Sequence, residues 1–348
     1  MATHNFETLK SKYDNFEHPI VILTINGKDF AKNKSGFIVA DIEVELTSGY
    51  EASIATFCLY NTFDNHTSEF RTEEVKDYIY IGSSVEIAFG YEKEARQVFC
   101  GFISRVNFFY EGGEIPGIRV TAMDVKGVMM ANKYSRQLTA TSFGEAVKEI
   151  LNKGPYMGMT NSGLIRNLAV SDTPDKKITA SAASKASDRT IEMVAESDYE
   201  FVVKAAKKYN YEFFTECGNV YFRKAKQNAE TVMEMGPADG MRNFDVEYDV
   251  TGLVETIKAR STDVSKARVI ESSQKFKQKI SMGNKAKKLI NNSEKVYLDA
   301  TITSKEEADY RVESLMEEMS YRFGSLECDC IGMPELMPGK FLVLKSLG

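Results

Sequence analysis

The chain has 348 residues, 43% of them hydrophobic and 27% charged, with a formal net charge of −6. That balance excludes a disordered or fibrous chain and fits two or three globular domains. No apolar run nears the ~20 residues of a membrane-spanning helix, and the opening Met-Ala-Thr-His-Asn-Phe-Glu lacks the basic and apolar regions of a signal peptide, so a cytoplasmic product is expected.

Residues 1 to 18 read as a polar lead-in, and from Pro19 the pattern turns to strands. Pro19 to Asn26 ends at Asn26-Gly27, a turn pair. Ile42, Val44 and Leu46 alternate with Asp41, Glu43 and Glu45, which predicts a half-buried strand. Further strands are predicted at 55–60, 85–89, 97–110 and 117–123, with a short helix within 68–78. Gly90 closes one strand, and Gly101 inside the long one predicts a bulge or sharp bend. Short strands at this spacing indicate an antiparallel barrel or sandwich over residues 1–135.

The next region, 136–240, reads as a small α+β domain. A helix is predicted at 141–152, with Phe143, Val147, Ile150 and Leu151 on one face. Loop-rich sequence follows to Thr190, then a short strand from Ile191. Glu196 to Lys224 then forms one unit. Ser197 is the N-cap, with Glu200 completing a capping box. Phe201, Val202, Ala205, Ala206 and Tyr209 make an apolar helix face, Asn210 closes the helix, and two strands flank Cys217-Gly-Asn as a hairpin.

The last region, 241–348, opens with a strand predicted at 250–259 and continues with another at 296–302. Between Lys258 and Lys295 lie eleven Lys and Arg against Asp263, Glu271 and Glu294, so this stretch carries about +8. A solvated loop or an electrostatic contact with an acidic partner is expected there. Nucleic-acid binding is the alternative, weakened because Phe276 is the stretch's one aromatic for base stacking. Ser304 caps a helix with Glu307 as a second capping box. Ala308, Val312, Leu315, Met316, Met319 and Phe323 form its stripe, read as core packing, with a Met-rich peptide groove as the alternative. An alternating segment from Leu326, a turn at Gly332–Gly339 and a strand at 341–344 follow.

The search for chemistry is empty. His4, His18 and His66 have no metal-ligand spacing, and no nucleophile elbow, phosphate loop or dinucleotide fingerprint occurs. Pairs such as Glu73-Glu74 and Glu317-Glu318 read as solvated charge. The five cysteines (Cys58, Cys100, Cys217, Cys328, Cys330) read as free thiols in strands. No cofactor is expected. Ile81-Gly82-Ser-Ser-Val85-Glu-Ile87 echoes Pro338-Gly339-Lys-Phe-Leu342-Val-Leu344, closed by Gly90 and Gly348 one residue out of register. Either two copies of one barrel or a chance likeness of turns would produce that echo.

Three places, in order, resemble the hub proteins of contractile injection machines: phage late control protein D, the baseplate hub, and the N-terminal part of the VgrG spike. The first is Gly82-Ser-Ser-Val-Glu-Ile-Ala-Phe-Gly-Tyr91 with Val98-Phe-Cys-Gly101-Phe-Ile103, followed by Met123-Asp124 at the family's closing Asp. The second is the Glu196–Lys224 unit, with Asn210 in place of the usual Gly. The third is Gly332-Met-Pro-Glu-Leu-Met-Pro-Gly339. The resemblance implies a mainly β chain in which two similar tube-type antiparallel barrels flank a small α+β domain, the second barrel stopping early at Gly348. It implies a non-enzymatic homotrimer that adapts a hexameric tail tube to a trimeric spike. Implied partners are the tail tube protein, a spike or tip protein, baseplate wedges and, as a further candidate, a tape measure protein. Such a chain is made in the bacterial cytoplasm and assembled into a particle. Lys285, Lys287 and Lys288 are placed near a partner or the lumen. The rivals are a peptidoglycan hydrolase and a nucleic-acid-binding barrel.

Overall fold

The computed structural model describes residues 4–157, 164–176, 191–226, 231–263, 266–277 and 285–346. The chain is mainly β, with 43% strand against 22% helix.

The first region is one seven-stranded antiparallel sheet. Its spatial order is Lys28–Asp29, Pro19–Ile25, Ser84–Tyr91, Glu94–Phe109, Gly117–Met123, Ile54–Tyr60 and Ile38–Glu45. The inward alternate residues, among them Phe57, Leu59, Val85, Ile87, Phe99, Ile103, Ile118 and Val120, make a continuous core. The two edge strands are not hydrogen-bonded to each other, so the expected barrel is not closed among the described residues. Gly90 lies inside its strand rather than ending it. A Cβ there would sit 1.9 Å from the Glu94 carbonyl oxygen, and one at Gly101 would sit 2.2 Å from that of Met123. Both glycines therefore permit close backbone approach. The register irregularities of the long strand fall on either side of Gly101, where Val98 and Ser104 are the extra residues.

The polar lead-in is partly buried. Asn5 caps a helix at Phe6–Lys12, and Phe6, Leu9 and Tyr13 are buried against Met233, Met235, Met241 and Met333. Residues three, four and seven apart share a helix face, so this short segment has enough apolar surface to dock.

In the middle region the helices Phe143–Leu151 and Asp198–Tyr209 share a core, with Phe143 stacked on Phe201 at 5.8 Å. The capping box of Ser197 and Glu200 is present, and Asn210 adopts the left-handed conformation (φ 55°) that the cap requires. Strand Tyr211–Glu216 pairs antiparallel with Asn219–Lys224. Cys217 and Gly218 both have positive φ, as in a type I′ hairpin turn. Asn167–Val170 joins this sheet in parallel.

The last region differs more from expectation. The strand predicted at 250–259 starts only at Thr256 and runs to Asp263, and a separate strand, Met241–Tyr248, precedes it. Among the described residues the basic stretch is not a solvated loop: it contributes a hairpin of Thr256–Asp263 with Arg268–Lys275, flanked in parallel by Glu294–Leu298. Its inward residues include Ile257, Ala259, Ser261, Ile270 and Ser272. The helix Lys305–Ser320 packs Ala308, Val312, Leu315, Met316 and Met319 on this sheet. Ser304 caps it, but Glu307 accepts from Thr303 rather than from the Ser304 amide, so the second box is incomplete. Two smaller pairs complete the region: Met241–Tyr248 with Gly324–Cys330, and Thr231–Met235 in parallel with Phe341–Leu344. In the two echoing turns Gly82 and Gly339 both have positive φ. Ser84–Tyr91 pairs antiparallel on both sides, whereas Phe341–Leu344 pairs in parallel with one strand.

Candidate functional site

The side chains with unusual environments lie where the regions meet. Asp124 follows the last strand of the large sheet and caps the helix Val125–Met129. Its carboxylate is 1% exposed and accepts from the Ser53 amide (3.0 Å), the Lys126 amide (2.9 Å) and the Thr215 hydroxyl (2.7 Å). One carboxylate thus ties the first sheet to the middle hairpin. Burial pushes its pKa up, against the pull of Lys126 and of the hydrogen bonds. Lys126 is fully buried, donates to the carbonyls of Gly49 (3.1 Å) and Glu51 (2.7 Å), and lies 5.2 Å from the Phe213 ring centroid. Burial brings its pKa down to about 8.

The hairpin turn makes the neighbouring seam. Arg166 reaches Glu86 (2.5 Å) and the Gln97 side chain (2.9 Å), Arg96 lies 3.4 Å from Glu216, and the Cys217 thiol donates to the Gln97 carbonyl. The Gly332–Gly339 segment forms the third junction. Met337 inserts into the core of the large sheet, and Tyr91 donates to the Gly332 carbonyl at 2.8 Å. Glu335, buried, accepts from Lys12 (3.0 Å) and Tyr13 (2.8 Å). Burial acts to raise its pKa, but those two hydrogen bonds prevail and hold it below the ordinary range. Arg223 donates to the Gly339 carbonyl at 2.9 Å. The proline-flanked turn is therefore a clasp that draws the N-terminal helix, the large sheet and the hairpin together.

Inside the middle region Asp198, at the start of the capped helix, pairs with Lys153 at 2.6 Å and accepts from Tyr156 at 2.5 Å and from Tyr134. Burial, then Asp198, pushes Tyr134 up to about 12. A cleft of about 340 Å³ opens beside this cluster. A larger cleft, about 690 Å³, lies between the capped helix and the Asp299–Arg311 segment, lined by Lys204, Lys207, Lys208 and Arg311.

The outer face of the basic hairpin sheet is mixed. Val269, Val296 and Leu298 are exposed beside Arg260, Glu271 and Lys275, and Leu298 is 81% exposed. Ion pairs tie down several cations: Lys258 with Glu294 (2.6 Å), Arg260 with Glu271 (3.8 Å), and Arg268 with Asp263 (3.7 Å). Lys285 and Lys288 are exposed at the edge of this region, next to Leu289, while the Lys287 side chain lies outside the description. Among the described residues no group of three or more His, Cys, Asp or Glu could hold a metal ion, and no helix is long and apolar enough to cross a membrane. The sequence marked Asp124 but missed Lys126, whose partners are 75 and 77 residues away. It also missed Glu335, whose Glu-in-turn setting gives no local signal.

No curated protein matches the sequence. Among solved structures, a tail protein from Neisseria meningitidis MC58 superposes with a TM-score of 0.59 at 11% identity, covering 94% of this chain and 87% of that one. The 43 kDa tail protein of prophage MuSo2 from Shewanella oneidensis gives 0.57 at 12% identity, covering 93% and 86%. Prophage tail protein gp18 from Listeria monocytogenes EGD-e gives 0.50 at 11%, covering 94% and 85%. At these identities the likeness is one of fold. A family model described as the Alg8 N-terminal domain matches residues 23–348, and the chain belongs to that family.

Proposed function

We propose that the chain is a structural baseplate hub of a contractile phage tail or phage-tail-like injection particle, without enzymatic activity of its own. The observation that carries this reading is the fold shared with phage tail proteins over more than nine-tenths of the chain. The three seams support it: buried polar groups that fasten remote segments suit a part that must transmit load without opening. The hub is a homotrimer whose two β regions per chain present six units to a hexameric tube and three to a spike, which resolves the symmetry mismatch. The partners are the tube protein, a spike or tip protein, wedge proteins and a tape measure protein. The exposed Val296–Leu298 face and Lys285, Lys287 and Lys288 meet one of them. The domains divide at 135 and 240. The chain is made in the bacterial cytoplasm and ends in the particle.

Light scattering on the purified chain, alone and with tube protein, tests this. Trimers that cap tube ends are expected. A chain that stays monomeric and leaves tubes uncapped overturns the reading. A second reading comes from the family's name, which points to a glycosyltransferase-related domain. Sugar transfer from labelled nucleotide-sugar donors by the purified chain would favour it. Clearing of a peptidoglycan zymogram would favour the hydrolase instead, and steeply salt-dependent DNA binding the nucleic-acid reading.

A further inference from the structure

Cys100 lies on the long strand Glu94–Phe109, opposite Glu86, on the face turned away from the core residue Phe99. Cys217 is the first residue of the hairpin turn, held with positive φ. The turn docks on that outer face: Arg166 bridges Glu86 and Gln97 beside it, and the Cys217 thiol donates to the Gln97 carbonyl. The Cys217 thiol thereby lies beside the outer face of the strand that carries Cys100, three residues from the carbonyl it bonds. They sit 117 positions apart in sequence and belong to different regions, yet the fold brings them to one seam.

We propose that Cys100 and Cys217 are a site of reversible oxidation, forming an intramolecular disulfide that staples the middle hairpin to the first sheet. The oxidant is a small disulfide such as oxidised glutathione. The Cys217 thiolate attacks one glutathione sulfur, its S–S bond breaks, and one glutathione leaves and takes up a proton. Cys100 then loses its proton and attacks the Cys217 sulfur of the mixed disulfide, releasing the second glutathione. Two protein thiols are oxidised by two electrons, and one small disulfide is reduced to two thiols. Cys217 suits the attacking role. Its interaction with Cys100 holds its thiol below the ordinary range against burial, helped by Arg96 and Arg166. Cys100, pushed up by that same interaction and by burial, is the resolving thiol.

The other cysteines serve as internal controls. Cys58 is buried in the core of the first sheet. Cys328 and Cys330 are two residues apart on one strand, so their side chains stand side by side rather than pointing at each other. The test is treatment of the folded chain with oxidised glutathione, followed by intact mass and non-reducing peptide mapping. A loss of two hydrogens and a linked peptide pair containing Cys100 and Cys217 is expected. Dithiothreitol should reverse it, Cys100→Ser and Cys217→Ser should each abolish it, and Cys328→Ser should leave it. The oxidised form should also melt at a higher temperature than the reduced one. Linkage through other cysteines, a linked pair that arises only above the melting transition, or an oxidised form that melts no higher would overturn the proposal.

Discussion

Replacing Asp124 by Ala removes three hydrogen-bond acceptances at once and strips the buried Lys126 of the opposite charge that acts on it most strongly. Loss of the N-cap alone costs about 1 kcal/mol. An uncompensated buried cation raises the expected total to about 3–5 kcal/mol. Asp124→Asn keeps the shape and one acceptor oxygen and should cost less, about 1–3 kcal/mol. If the cost comes from the stranded charge, it shrinks when Lys126 is already Met. The double-mutant cycle should then give a coupling of about 1–3 kcal/mol. Urea unfolding followed by far-ultraviolet circular dichroism is the assay, because the chain has no Trp. Hydrogen exchange over residues 211–224 gives a local readout of hairpin docking. An Asp124→Ala cost below about 1 kcal/mol, or costs additive within about 0.5 kcal/mol, would refute the reasoning.

The same lysine predicts a pH dependence. Unfolded, Lys126 holds its proton to its ordinary value of 10.5; folded, it releases it near 8. Between these the unfolded state binds the extra proton, so stability rises with pH, by about 3 kcal/mol in all. Above pH 10 the tyrosines raised to about 12, Tyr50, Tyr134 and Tyr211, act in the opposite sense, so the useful window is pH 8 to 10. Melting temperatures across it should climb for the native chain and stay flatter for Lys126→Met. Asn210→Gly should keep stability within about 1 kcal/mol, whereas Asn210→Val should lose about 1–2 kcal/mol, because the position is left-handed. Gly101→Ala forces a Cβ against the Met123 carbonyl oxygen and should cost about 1–3 kcal/mol or more in denaturant titration. Leu315→Ala opens the core under the long helix and should cost about 2–5 kcal/mol by the same measurement.

The capped helix and hairpin at 196–224 were legible because their signals are local: a capping box, a helical apolar face and a two-residue turn. The N-terminal helix was legible in principle. Phe6, Leu9 and Tyr13 lie at helical spacing, but the charged residues between them make the segment read as a polar lead-in. The basic stretch misled for a related reason. Its inward positions include Ala259, Ser261 and Ser272, too small and polar to mark a buried face, while Lys258 and Arg260 alternate with them. The seams were not legible, since Asp124 meets Ser53 and Thr215, and Glu335 meets Lys12, over separations that no local pattern encodes. Whether a sheet closes into a barrel is likewise set by tilt and stagger between strands, which residue alternation does not specify.

The hub proposed above would sit in a ring at the junction of tube and baseplate. Electron cryomicroscopy of assembled particles that contain the chain tests it most directly. Three copies in one ring, seated between the hexameric tube and a threefold tip, are predicted. A chain missing from tube-containing particles, or present in them outside that junction, would contradict it.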